Sequence, residues 1–356
     1  DAHAAGKDIG EALVGAGVLA EGPWVAALAT RFDLPVAQVE VDTGLSHLDR
    51  PFDYLVPTTL DELVVVGCRV RVRFAGRLVD GFVTDRVEGT EHAGKLAHIA
   101  KVVSPEPVLQ PEILELARVV ADRYAGTLGD VLRLAIPPRH ARAEAAVREF
   151  AAGQLAAVDD TVWRSHTHGH EYLAALRSGD NPRAWWSALP GHDPARAVAQ
   201  AVLSTLHSGR GSVVCVPDVR DVARWDAVFT DVLGDGHHVV LTAASTPAAR
   251  YAAFLAASRG QVKVVLGTRA AAFAPVRDLG LLAMWDDGDD LYAEPRAPYP
   301  HAREVLLLRA TATSSALLIG GYARTAEGQS LVESGWCSEL VAEQNARRTA
   351  WPRLEV

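Results

Sequence analysis

Three features of the sequence predict an α/β protein in which a small β-rich domain precedes a parallel-sheet lobe. Between residues 36 and 87, short β-branched runs alternate apolar and polar side chains between turn residues, the pattern of a small β-domain. From about residue 190 onward, helical and strand patterns alternate, which builds a parallel sheet covered on both faces. The loops that follow those strands are "PDVRD", "TAAST", "GTRAAAFAP", "DDGDD" and "GGYART". In such sheets the working loops lie at the carboxyl ends of the strands.

Residues 1–34 are rich in Ala and Gly, with helix-like patches around 9–20 and 23–32, and read as a weakly ordered extension. The β-rich domain is expected over 35–110. Its strands are "VAQVEVD" (36–42), "FDYLVP" (52–57), "CRVRVRF" (68–74) and "VDGFVTDRV" (79–87). Period two in "CRVRVRF" puts Val70, Val72 and Phe74 on one face and Arg69, Arg71 and Arg73 on the other. Arg77 and Arg86 continue the basic line, and Asp80 and Asp85 offset part of it. Three like charges on one strand face are unfavourable unless acids or an anion compensate them, so a solvated face and an anion-binding face both remain open.

Residues 111–182 read as a helical segment and linker. "PEILELARVVADRYAGTLGDVLRLAI" (111–136) has helical period, with Pro111 and Glu112 suited to a first turn and interruptions at Gly126 and Gly129. A domain boundary is expected near 138–180. "HTHGHE" (166–171) sits there, and a solvated linker is preferred to a metal site because nothing nearby completes the ligand set. Residues 183–356 form the lobe. Thr246 suits an N-cap with Pro247 at the first helical position, and "LGLLAMW" (279–285) is a strand running into the acids of "DDGDD".

The chain has 356 residues, room for two domains at about 100–200 residues each. Its net charge of −9 gives no bulk signal for nucleic acid, so any such role needs a local basic surface. The three cysteines, Cys68, Cys215 and Cys337, are far apart and form no zinc motif or disulfide framework, which fits a reducing cytoplasm. No apolar run approaches the roughly 18 residues of a membrane helix, and no signal peptide is legible. The first residue is Asp1, so the chain is read as a piece of a longer polypeptide.

These loops in this order resemble the PriA family of replication-restart helicases, also called primosomal protein N′. The resemblance rests on "VVLGTRAAAFAPVRDLGLL" (264–282), "AEPRAPYPHAREVLLLRA" (293–310), "LDRPFDYLVP" (48–57), "GCRVRVRFAGRLVDGFV" (67–83), "VVSPEPVL" (102–109) and "ADRYAGTLGDVLRLAIPP" (121–138). It covers about 36–140 and 190–350. It implies a 3′-DNA-end-binding domain followed by the first RecA-like helicase lobe. The family's winged-helix module would have to fit in 140–185, which looks too short for a full one. Its second lobe and cysteine zinc cluster lie beyond this chain. The family uses ATP and Mg²⁺, and zinc in that C-terminal part; no cofactor is expected here.

Departures from the family pattern decide the expected chemistry. The phosphate loop Gly-x-x-x-x-Gly-Lys-Thr is replaced by "LPGHDPAR" (189–196), which keeps Gly191 but has no Lys or Thr. His192 and Asp193 stand where phosphate charge would sit, and Asp193 is better suited to capping the helix that starts at Pro194. The Asp-Glu-Glu-His motif is replaced by Trp285, Asp286, Asp287 and Gly288, and the next switch motif reads "GGYARTA" (320–326). Losing one charge-stabilising contact slows phosphoryl transfer roughly 10³-fold or more, and these motifs fail together. The pattern resembles the actinobacterial PriA-like proteins with eroded helicase motifs.

The resemblance therefore implies a cytoplasmic, nucleoid-associated protein that binds stalled replication forks and other restart factors without working as a helicase. By motif, Asp53 accepts from a 3′-hydroxyl, with Phe52, Tyr54 and Phe74 framing the pocket; the alternative for Phe52 and Phe74 is core packing. Arg69, Arg71, Arg73 and Arg77 would hold phosphates, and Thr268 and Arg269 match a family backbone contact, or else Arg269 closes a strand end. Alternatives are a residual ATP-dependent 3′–5′ DNA helicase, and a metal-dependent phosphodiester enzyme using Asp286, Asp287, Asp289 and Asp290. A solvated acidic turn is preferred to the last.

Overall fold

The computed structural model describes residues 35–41, 46–90, 92, 94–146, 150 and 153–350. The extension expected over 1–34 lies outside them. The chain divides into two compact units, one running to Leu114 with Thr127–Asp130 added, the other comprising Glu115–Gly126 and everything from Val131.

The first unit is an antiparallel sheet of β1 (Val36–Val41), β2 (Phe52–Leu55), β3 (Arg69–Phe74), β4 (Arg77–Val87) and β5 (Ile99–Ser104), in the order β2-β1-β4-β3-β5. The period-two reading of β3 holds. Val70 and Val72 are fully buried, while Arg71 and Arg73 face solvent. Ala37, Val39, Tyr54, Val83 and Ile99 complete that core face. β3 and β4 are joined by Ala75 and Gly76, at φ 46° and 80°. Left-handed dihedrals at both central positions match the twist of the flanking strands in a two-residue hairpin turn.

The helical run expected over 111–136 is two helices, Pro111–Arg123 and Leu128–Ala135. The break falls at 124–127, where Ala125 has φ 51°, and Gly129 lies inside the second helix rather than interrupting it.

The second unit holds a seven-stranded parallel sheet. Its strands are β6 (Arg183–Ser187), β7 (Gly211–Cys215), β8 (His238–Leu241), β9 (Val264–Gly267), β10 (Leu279–Trp285), β11 (Ala316–Gly321) and β12 (Ser338–Leu340), in the order β12-β6-β11-β10-β7-β9-β8. Every pairing is parallel. β10 has the limits expected for "LGLLAMW", and the strands expected in the first unit appear within two residues of theirs. β6 was not read from the sequence, yet it is central to the cleft described below.

The linker expected over 138–180 is corrected from Trp163 onward. Trp163 is fully buried, and Tyr172, Leu173 and Leu176 of the helix Gly169–Ser178 join it in the lobe core. His166 is buried too. Its Nε2 lies 3.0 Å from the indole Nε1 of Trp186, and its Nδ1 lies 3.3 Å from the carbonyl of Val162. Nε2 also lies 3.2 Å from the Ser187 carbonyl. An indole N–H only donates, so the bond from Trp186 needs an accepting Nε2 and a neutral ring with its proton on Nδ1.

Burial holds the His166 pKa below the ordinary imidazole value, against the opposing pull of the Ser187 and Val162 carbonyls, and His192 nearby adds a smaller lowering. The neutral ring is therefore favoured by folding. Its contribution is complete above the ordinary histidine pKa and is lost as pH falls below it. Thermal melts from about pH 8 to about pH 5.5 should show a steeper loss of Tm in this chain than in His166→Gln, which has no proton to gain.

Candidate functional site

In the first unit, Asp53 lies on the edge strand β2, half-buried. One carboxylate oxygen accepts from Gln38 Nε2 at 3.3 Å and the other from the Thr90 hydroxyl. Gln38 is directly opposite Asp53 in the β1–β2 register. Directly opposite residues share a face, and residues two apart on one strand do too. Gln38 therefore shares its face with Glu40. Glu40 is opposite Phe82, and Phe82 is opposite Arg69. Asp53 thus stands on the arginine face of the sheet.

Phe52 and Tyr54 stand on the other face. Tyr54 is buried, its hydroxyl donates to the Arg73 carbonyl at 3.4 Å, and burial raises its pKa. Phe52 and Phe74 meet edge to face at 4.8 Å, at the margin of the core. The pocket expected from Asp53, Phe52, Tyr54 and Phe74 is corrected accordingly: strand pleating sends the carboxylate and the aromatic rings to opposite sides.

The guanidinium line is present and partly compensated. Arg71 pairs with Asp80 at 2.7 Å. Arg73 donates to the Gly76 carbonyl at 3.3 Å and Arg69 lies over the Phe82 ring at 5.0 Å. Arg77 is exposed but sits opposite Phe74, so it stands on the other face and does not continue the line. Arg86 does not continue it either. It sits opposite Ala37, on the core-face side, and binds Asp61 at 2.5 Å and the Val64 carbonyl at 2.6 Å.

In the second unit, the degenerate phosphate loop follows β6. Gly191 adopts φ 83°, a conformation glycine takes without a Cβ penalty. Asp193 caps the helix Pro194–His207, accepting from the amides of Ala195 and Arg196 at 3.0 and 3.3 Å. Those are the donors a phosphate would need, and a carboxylate already holds them. The ring of His192 lies 6.3 Å from that of His166.

Trp285 ends β10, where the metal-holding acid of the family pattern would be. It is 5% exposed. Its ring lies 5.6 Å from Trp186, 6.1 Å from Trp225 and 5.2 Å from Tyr322. Trp186 in turn meets Trp163, the rings tilted at 38° with centroids 5.0 Å apart. Gly320 on β11 makes room for this cluster, because a Cβ there would come within 2.6 Å of the Trp186 ring. Trp186, just ahead of the phosphate loop, and Trp285, at the metal position, are thus joined in one buried indole cluster, and an indole offers no ligand to Mg²⁺. These residues do not fit Mg²⁺–nucleotide.

The acids after Trp285 have separate duties. Asp287 is 1% exposed, and its carboxylate takes Arg303 Nη1 at 3.1 Å and the Thr325 hydroxyl at 2.8 Å. Arg303 also reaches Glu327 at 3.2 Å. Thr325 in turn caps the helix Ala326–Glu333. Asp289 caps the short turn Asp290–Tyr292. Asp286 has φ 56°, and its carboxyl is pushed up by partial desolvation and then by Asp289, Asp287 and Asp221. The solvated turn expected here is corrected for Asp287, which is buried and ion-paired. Among the described residues, no three His, Cys, Asp or Glu side chains are grouped to hold a metal ion.

Arg269 is engaged within the chain, with Nε on Glu294 at 2.7 Å and Nη1 on the Leu291 carbonyl at 3.2 Å. Thr268 precedes it in extended backbone and makes no capping bond. No helix among the described residues is long and apolar enough to cross a membrane.

Sequence reasoning missed the Arg303–Asp287–Thr325 link and the partners of Asp53. The first joins residues 16 and 38 positions apart, and no local pattern announces it. Gln38 could have been found by aligning the alternation of β1 against β2.

A family model described as the 3′ DNA-binding domain of PriA matches residues 38–137. The Mycobacterium tuberculosis protein named "Probable replication restart protein PriA" is 51% identical over 87% of this chain and 48% of its own length. The Mycobacterium leprae protein of the same name is 48% identical over the same shares, 87% and 48%. The chain spans about half the length of the curated relatives it matches. Among solved structures, the Pyrococcus furiosus Hef helicase domain aligns at a TM-score of 0.38 and 11% identity, over 56% of this chain and 43% of that one.

Proposed function

Because the chain belongs to the PriA family of replication restart proteins, we propose that it reads the 3′ end of a nascent strand at a branched DNA and does so without ATP-driven unwinding. The observation that carries this is Trp285. The side chain at the metal position is buried in an aromatic cluster, and the helix N-terminus beside it is already capped by Asp193. Converting that region to a nucleotide site would require emptying the core and removing a carboxylate. The lobe then serves as a scaffold, and other restart factors are its proposed protein partners. No nucleotide or metal is assigned a role in this part of the protein.

Asp53 supports the end-reading half. A carboxylate offers about four lone-pair sites, and Gln38 and Thr90 use two. A 3′-hydroxyl can donate to one that remains, whereas a 3′-phosphate would meet like charge. Arg69, Arg71, Arg73 and Arg77, with Asp53 on the same sheet, supply phosphate contacts and a salt-dependent affinity.

Fluorescence anisotropy on forks ending in 3′-hydroxyl or 3′-phosphate tests this. A hydrogen bond to a charged group is worth about 1.5–3 kcal/mol, so the hydroxyl fork should bind roughly 10-fold or more tightly. Asp53→Asn should remove the preference. Equal affinity of the unaltered chain for both ends would sink the assignment.

A further inference from the structure

The β3–β4 hairpin extends past the strands on either side of it. β1 pairs with β4 only from Val87 to Gly81, and β5 pairs with β3 only from Arg69 to Val72. Among the described residues, 73–80 are therefore a two-stranded tip. At about 3.4 Å per residue, β4 runs roughly 13 Å beyond its last pairing with β1.

The two faces of the tip differ. Beneath it, the Phe74 ring rests on Phe52 at 4.8 Å, and the Tyr54 hydroxyl donates to the Arg73 carbonyl at 3.4 Å. The upper face carries Leu78, directly opposite Arg73, and Leu78 is 53% exposed. Lys101 on β5, opposite Arg71, is exposed on that face as well, while Arg77, opposite Phe74, stands on the other side of the turn. The one acid there, Asp80, is neutralised by Arg71 at 2.7 Å.

An apolar side chain held on a braced, projecting, basic ribbon suits one kind of occupant. The cations complement phosphates, and a two-stranded ribbon fits a duplex groove. Apolar side chains of this size enter DNA as wedges between stacked bases. We propose that this hairpin tip engages the duplex at a DNA branch, with Leu78 packing against the exposed base pair at the junction and Arg73 and Lys101, on the same face, holding the adjoining phosphates. The proposal rests on the DNA-binding reading above and adds to it a contact with the duplex that the 3′-end site does not supply.

The test uses a fork with 2-aminopurine in the base pair at the junction. The unaltered chain should raise its fluorescence as the base unstacks. Leu78→Ser, an exposed replacement that leaves the fold intact, should remove the rise. It should lose roughly 10-fold in affinity for the fork, the scale of one apolar side chain withdrawn from water, while binding a 3′-hydroxyl single strand as before. Leu78→Phe should keep the signal. If Leu78→Ser gives the full rise, or the unaltered chain binds the fork without any rise, the wedge is wrong and the end-reading function stands. If the chain binds neither the fork nor the single strand, the DNA-binding reading fails and the wedge fails with it.

Discussion

Trp285→Ala should destabilise the lobe by about 3–5 kcal/mol, the usual cost of truncating a fully packed tryptophan. For a unit of this size that is a fall in Tm on the order of 10 °C. The reason is its position. Trp285 bridges Trp186 and Trp225 below and Tyr322 at the rim, so its loss leaves a cavity bounded by rings that cannot collapse into it. The same substitution in a working motor would fall beside a metal and mainly change turnover. Differential scanning calorimetry measures the effect directly. A change below about 1 kcal/mol, the range of surface substitutions, would show that the side chain is not packed as described.

Asp287→Ala should cost a similar amount, about 3–5 kcal/mol, because it leaves the Arg303 guanidinium buried without its closest countercharge. Glu327 stays within 3.2 Å but is 60% exposed, so solvent screens it. The loss also frees Thr325, whose hydroxyl holds the N-terminus of the following helix. The double substitution Asp287→Leu with Arg303→Met should be less damaging than Asp287→Ala alone, since no buried charge is left unpaired. Chemical denaturation of the four-member cycle measures the coupling. Additive effects would mean that the pair does not act as a unit.

Much of this architecture is legible in the sequence where a local rule acts alone. "CRVRVRF" declares its faces by alternation, and Asp193-Pro194 declares a helix start, because each signal is complete within a few residues. Failures occur where the deciding partner is distant in sequence. Residues 138–180 look like a polar linker, since Trp163, Tyr172 and Leu176 are sparse among Ala, Gly and His. Their burial depends on Trp186 and the helix Pro194–His207, which they meet only after folding. β6 escaped notice because "RAWWS" shows no alternation and both indoles are buried.

The candidate DNA-end site went wrong in another way. Period two already sends Asp53 away from Phe52 and Tyr54, but grouping the three as one motif overrode it. The erosion of the nucleotide motifs is more legible, because missing Lys, Thr and Asp are visible as identities. The set of indoles that packs around Trp285, in the room left by Gly320, depends on strand order and is not.

The most direct test of the central claim is titration calorimetry of the chain with Mg²⁺–ATP, run with and without a forked DNA carrying a 3′-hydroxyl arm. No heat of nucleotide binding in either titration, with fork affinity unchanged by ATP, is the predicted result. Saturable binding at micromolar ATP, or a shift in fork affinity when ATP is added, would mean that the region between Gly191 and Trp285 opens to a nucleotide, and would contradict the account.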